Sequence, residues 1–138
     1  MTCVWLDTNV LVRFMTSGSS EQSRRVLTLM RRAERGEVSL RLATIVIAEA
    51  VWVLGSVYEF DRTQIAEAIR AFVLADGVAA EERDVVTDAL RLMQDQNVAY
   101  VDAYLAALAR DRGEPVASFD RGFRHLGVEI SGLSASSS

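Results

Sequence analysis

Apolar residues fall along the chain in blocks of two kinds. Thr2 to Leu6, Val38 to Leu42 and Val116 to Phe119 are short runs, which read as buried strands. Val78 to Glu81 reads as a weak edge strand and Val128 to Ile130 as a last one. Between them, apolar positions recur at helical spacing. Val10 to Met15 forms a short helix, and residues 16–20 form a loop. Ser19 with Gln22 makes a capping box that opens a helix to about Arg35, with Gly36 as its stop. Thr44 caps a helix running to about Tyr58, and Asp61 with Gln64 opens another that ends near Asp76-Gly77. Asp84 to Gln96 places Val85, Leu90 and Met93 near one face. Tyr100 to Arg112 follows, stopped by Gly113 and Pro115, and Asp120 to Leu126 is a short helix. Strands alternating with helices predict an α/β fold: a parallel β-sheet sandwiched between helices in three layers, α/β/α. No repeat or linker interrupts the pattern. One domain over residues 1–131 is expected, with a small polar tail, 132–138, expected to be disordered.

Composition narrows the chemistry. Half of the 138 residues are hydrophobic, enough for a core without staples. A single cysteine and a single histidine rule out an internal disulfide and argue against zinc. Cys3 reads as a small core residue and His125 as an ordinary surface one. A reducing, cytoplasmic setting fits this usage. No basic leader precedes the first apolar run, and no run approaches the roughly 20 residues that span a bilayer. The net charge of −4 does not advertise nucleic-acid binding. All fifteen basic residues are arginine. The absence of lysine excludes a P-loop nucleotide hydrolase and a phosphoryl-accepting receiver domain, which both need one. No Gly-x-Gly-x-x-Gly turn occurs, so a dinucleotide site is unsupported. Asn9 stands where a haloacid-dehalogenase-type phosphatase would need a second aspartate.

Charge context singles out three carboxylates, and position adds a fourth, Asp120. Asp7 is the only charged residue from Met1 to Val12, Glu49 from Leu42 to Tyr58, and Asp102 from Asn97 to Ala109. Such neutral apolar segments are expected to be buried, and an unpaired buried carboxylate costs several kcal/mol or takes up a proton. A shared divalent cation would compensate several at once. Asp7 and Asp120 each follow a strand, at its carboxyl end, where ligands bind in parallel sheets. Asp102 lies in the first turn of its helix, and Glu49 about a turn into its own. All-oxygen donors suit Mg²⁺ or Mn²⁺. Each acid also has a plainer reading. Asp7 or Thr8 could cap the following helix, and Asp120 could cap its own beside Arg121. Asp102 could be a favourable first-turn acid, and Glu49 could lie on a solvated edge.

The same residues carry a family resemblance. Asp7-Thr8-Asn9-Val10-Leu11-Val12-Arg13-Phe14 resembles the opening motif of the PIN domain, especially of VapC-type toxins. Thr44 to Leu54 resembles the second motif, with Glu49 as its acid. Val101 to Ala107 resembles the third, around Asp102, and Ala117 to Phe123 the fourth, around Asp120. The four occur in order across nearly the whole chain. The resemblance implies a PIN-like sandwich and Mg²⁺- or Mn²⁺-dependent endonuclease activity on RNA. It implies Asp7, Glu49, Asp102 and Asp120 as the acidic set, with Asn9 and Ser118 orienting acids and water. It also implies a cognate antitoxin whose tail occupies the acidic groove.

Substrate binding must then come from local charge. Arg24, Arg25, Arg31, Arg32 and Arg35 gather on one helix, where a solvated surface is the favoured reading. Arg13, Arg121 and Arg124, beside the motifs, are better candidates for RNA contacts. Trp5, Trp52, Tyr100 and Tyr104 read as core rather than stacking platforms. The helix from Ile45 to Tyr58 is apolar almost all round, which points to burial by the sheet and by another chain, hence a homodimer. Two rival functions stand: a PIN-type nuclease of RNA maturation or turnover without an antitoxin, and a metal-binding or protein-interaction module without catalysis.

Overall fold

Strand β2, Val38–Leu42, sits at the centre of the sheet, and its residues show why. Val38, Leu40 and Leu42 are buried while Ser39 and Arg41 are only half so. The computed structural model describes residues 2–16, 18 and 20–131. Parallel to β2 on one side runs β1, Thr2–Trp5, with Thr2 opposite Val38 and Trp5 opposite Arg41. On the other side runs β3, Val78–Ala80, with Leu40 opposite Val78. The order β1-β2-β3 makes three parallel strands in one sheet, flanked by helices in the expected three-layer α/β/α arrangement.

Helices α1 (Thr8–Met15) and α2 (Glu21–Glu34) connect β1 to β2, and α3 (Thr44–Ser56) and α4 (Arg62–Val73) connect β2 to β3. Helices α5 (Arg83–Gln96) and α6 (Tyr100–Arg112) pack against each other, α5 also against α4, and α6 also against α3. The main core runs through Leu11, Leu40, Leu42, Ile47, Leu54, Ile69 and Leu90, all fully buried. No described helix is long and apolar enough to cross a membrane.

Several element ends follow the local chemistry read from the sequence, and some do not. Asp61 and Gln64 form the expected capping box: Gln64 N–H donates to Asp61 Oδ1 at 2.8 Å, and Asp61 N–H donates to Gln64 Oε1 at 3.0 Å. Helix α2 is capped by Ser20, whose Oγ accepts from Ser23 N–H at 3.1 Å. The expected box from Ser19 falls on a residue outside the described ones. Thr44 does not cap α3, because Ala43 holds the cap position without a side-chain bond. The Thr44 N–H instead donates to Glu81 Oε1 at 3.3 Å, an acid from beyond β3 replacing a local cap.

The carboxyl-terminal segment departs furthest from expectation. Val116–Phe119 and Val128–Ile130 do not form strands; one parallel bridge joins Val116 to Ile130, and neither pairs with the three-stranded sheet. Side-chain oxygens take the backbone donors that a ladder would use. Asp120 N–H donates to Ser118 Oγ at 2.9 Å, and Gly122 N–H donates to Asp120 Oδ1 at 2.8 Å. A 3₁₀ helix, Arg121–Leu126, follows. Val116, Phe123, Leu126 and Val128 build a separate small core against Ala106 and Ala109 of α6. With no neighbour on its outer side among the described strands, β1 is an exposed edge. Trp5 is 60% exposed and Cys3 lies at the surface, so neither is the core residue expected. The tail, 132–138, lies outside the described residues.

Candidate active site

Each of the four acids takes its place from the element that carries it. Asp7 leaves β1 in extended conformation and caps α1, its Oδ1 accepting from Asn9 N–H at 2.6 Å. Asp7 is therefore both the cap of the plain reading and an exposed carboxylate at the carboxyl end of β1, with Oδ2 free of partners among the described residues. Glu49 lies one turn into α3, which leaves the carboxyl end of the adjacent strand β2. It shares an exposed stripe with Ile45 and Trp52. Asp102 lies in the first turn of α6 and is half-buried. The Tyr104 hydroxyl lies beside the Thr44 side chain, which places the first turns of α6 near the start of α3. Asp120 is exposed and caps the 3₁₀ helix of the separate small core.

Two expectations are corrected here. Of the three acids in neutral segments, Asp7 and Glu49 are exposed and only Asp102 is half-buried, so the first two meet no large desolvation cost. A neutral stretch of sequence is not an apolar surrounding: Asp7 projects from a helix end, and Glu49 from the outer face of α3. The four carboxylates also do not converge. Among the described residues no three His, Cys, Asp or Glu side chains stand close enough to hold one ion. Asp120 is carried by a segment that does not join the three-stranded sheet. The donor chemistry nonetheless suits a hard divalent cation. Glu49 and Asp102 have no ion-pair or hydrogen-bond partner among the described residues, and one oxygen of Asp7 is unengaged.

The expected orienting residues are found doing local work. Asn9 holds Asp7 through its backbone N–H, and Ser118 receives the Asp120 N–H. Arg121 and Arg124 are exposed, and Arg13 is half-buried. On α2, Arg24 pairs with Glu21 at 3.0 Å, and Arg35 pairs with Glu37 at 2.9 Å across the helix end, as befits a solvated surface. Trp52, 65% exposed, is not core, whereas Tyr100 is buried and Tyr104 half-buried.

A second polar group at the carboxyl edge was not legible from charge context. The Tyr104 hydroxyl donates to Glu82 Oε1 at 2.5 Å, and Tyr100 stacks on Tyr104 with ring centroids 6.0 Å apart. The Tyr100 hydroxyl is buried without a partner among the described residues. Burial, then the neighbouring Tyr104 and Glu82, push its pKa above the ordinary value. Burial first, then the Glu82 hydrogen bond and charge, raise that of Tyr104. Glu82 itself adopts a left-handed backbone, φ +48°, at the start of α5. Position would have revealed Glu81 and Glu82, since both follow β3 at its carboxyl end, as Asp7 follows β1.

A parallel sheet with acids displayed where its strands end places polar chemistry at the edge where α/β domains bind their ligands. The sequence matches the PIN-domain family over residues 4–129, nearly its full length, and the chain belongs to that family. PIN domains are in general metal-dependent nucleases, so at that level the chain is a hydrolase of nucleic acid. No curated protein matches it.

Proposed function

We propose that the chain is a Mg²⁺- or Mn²⁺-dependent endoribonuclease that acts as the toxin of a type II toxin–antitoxin pair in the cytoplasm. The observation that carries the reading is the match to the PIN family over residues 4–129, within which Asp7, Glu49 and Asp102 are free of ion pairs among the described residues. Asp7 and Asp102 would hold the ion directly, with Asp120 and Glu49 reaching it through water. When bound, such an ion lowers the pKa of water towards neutrality and offsets charge on the phosphodiester. The remaining work belongs to the chain. Asn9 N–H and the α1 N-terminus hold one Asp7 oxygen in place, which aims the other outward. Ser118 braces Asp120, and Glu49 or Asp120 accepts a hydrogen bond from the attacking water. Arg13, Arg121 and Arg124 contact RNA phosphates.

Purified protein, free of antitoxin, should cleave a labelled structured RNA with Mg²⁺ or Mn²⁺ and stop when EDTA is added. No cleavage of any RNA by metal-loaded protein would favour a binding module instead. Growth arrest on expression, relieved by a small protein encoded just upstream, would separate a toxin from a maturation nuclease. A basic antitoxin side chain entering the carboxylate edge suits these acids.

A homodimer is part of the proposal. Ile45 and Trp52 of α3 and Val101 and Leu105 of α6, two helices that pack together, are all exposed apolar side chains. Trp52 and Val101 also border a shared cleft of about 370 Å³. A second copy would remove this apolar surface from water. Trp52→Glu should shift the protein from dimer to monomer in sedimentation velocity; an unchanged dimer would place the interface elsewhere.

A further inference from the structure

The pairing of α1 with α2 leaves a cleft of about 370 Å³ whose chemistry the four acids do not explain. Arg13, Arg25, Asn9 and Gln22 line it together with the apolar Val26 and Leu29. Neither guanidinium has an ion-pair or hydrogen-bond partner among the described residues. Glu21, the acid nearest Arg25 along the chain, is held by Arg24 at 3.0 Å. In a protein of net charge −4, the cleft is thus a local concentration of uncompensated positive charge.

We infer that this cleft is a nucleotide subsite, in which Arg13 and Arg25 grip a phosphate of the RNA strand next to the one that is cut. Guanidinium groups match phosphate oxygens in geometry and charge. The Asn9 and Gln22 amides offer donors and acceptors to a base edge or a 2′-hydroxyl, and the apolar lining takes the face of a base. The position also suits a neighbouring phosphate. Asn9 lines the cleft and donates its N–H to Asp7, and Arg13 lies about 6 Å beyond Asn9 along α1 at 1.5 Å per residue. The inference rests on the ribonuclease reading for its ligand, but its residues and test are separate.

Fluorescence anisotropy of a labelled single-stranded oligoribonucleotide in EDTA reads binding with no cleavage. Arg13→Gln and Arg25→Gln should each weaken binding roughly 5-fold and lower the salt slope by about 0.7, the value for one single-strand phosphate contact. Arg31→Gln, exposed on the same helix outside the cleft, should bind as the parent does. Equal weakening by all three, or by none, overturns the subsite. RNA bound through the cleft but never cut would overturn the nuclease reading alone. Metal-dependent cutting with no effect of Arg13 or Arg25 on binding would overturn the subsite alone.

Discussion

Asp7→Asn and Asp102→Asn should each reduce RNA cleavage more than about 100-fold while leaving the fold intact. The magnitude follows from comparison: losing a residue that only supports a metal ligand costs roughly 10–100-fold, so losing a ligand costs more. Asparagine is the informative replacement at residue 7. Its amide oxygen can still accept the Asn9 N–H that Asp7 Oδ1 accepts at 2.6 Å, and asparagine caps helices as well as aspartate does. The charge is lost and the cap is kept. At Asp102, half-buried and without a partner among the described residues, the swap likewise breaks no observed contact. Urea midpoints close to the parent, together with lost cleavage and weaker Mn²⁺ binding by calorimetry, are the expected pattern. Full activity in either variant would remove that acid from the site.

Gly77→Ala should cost about 3–5 kcal/mol of stability, a large share of the 5–15 kcal/mol typical of a domain. Gly77 stands between α4 and β3 at φ +84°, a left-handed conformation that costs other residues roughly 1–2 kcal/mol. A Cβ there would come within 2.5 Å of the Ala33 carbonyl oxygen and 2.8 Å of its Cβ, at the end of α2. Backbone cannot step aside easily at this point, because the Gly77 carbonyl accepts the Leu40 N–H at 2.8 Å. The variant should show a lower urea midpoint with an unchanged slope. Gly113→Ala is the control: its φ of +65° is similarly left-handed, yet nothing lies within 4 Å of an added Cβ. It should lose only about 1–2 kcal/mol. Equal losses at both positions would show that the contact with Ala33 is unimportant.

Local signals were the most legible. The Asp61–Gln64 capping box, the Gly113 stop and β2 at Val38–Leu42 depend on neighbours in sequence, and the structure has them where the pattern predicts. Asp7 at the end of β1 and Asp102 in the first turn of α6 belong to the same class, because a strand or helix end is a local event. The Thr44 cap failed because its N–H found Glu81, distant in sequence. Cys3, Trp5 and Trp52 read as core because composition cannot tell a central strand from an edge, or a covered helix face from an open one.

By itself, then, the sequence determined the kind of element most segments form up to Arg112, the three-layer parallel class, and which carboxylates stand without charged neighbours. Periodicity, caps and charge context are properties of adjacent residues, so they survive without coordinates. Tertiary structure alone decided which acids share an edge. Asp7 and Glu49 follow adjacent strands, and Asp102 comes near through α6 packing on α3, whereas Asp120 goes with a small core of its own. It also decided that α1 and α2 close around Arg13 and Arg25, two arginines whose separation in sequence hides their common cleft. Such pairings depend on which faces meet when helices pack, and that is settled only when the whole core is assembled.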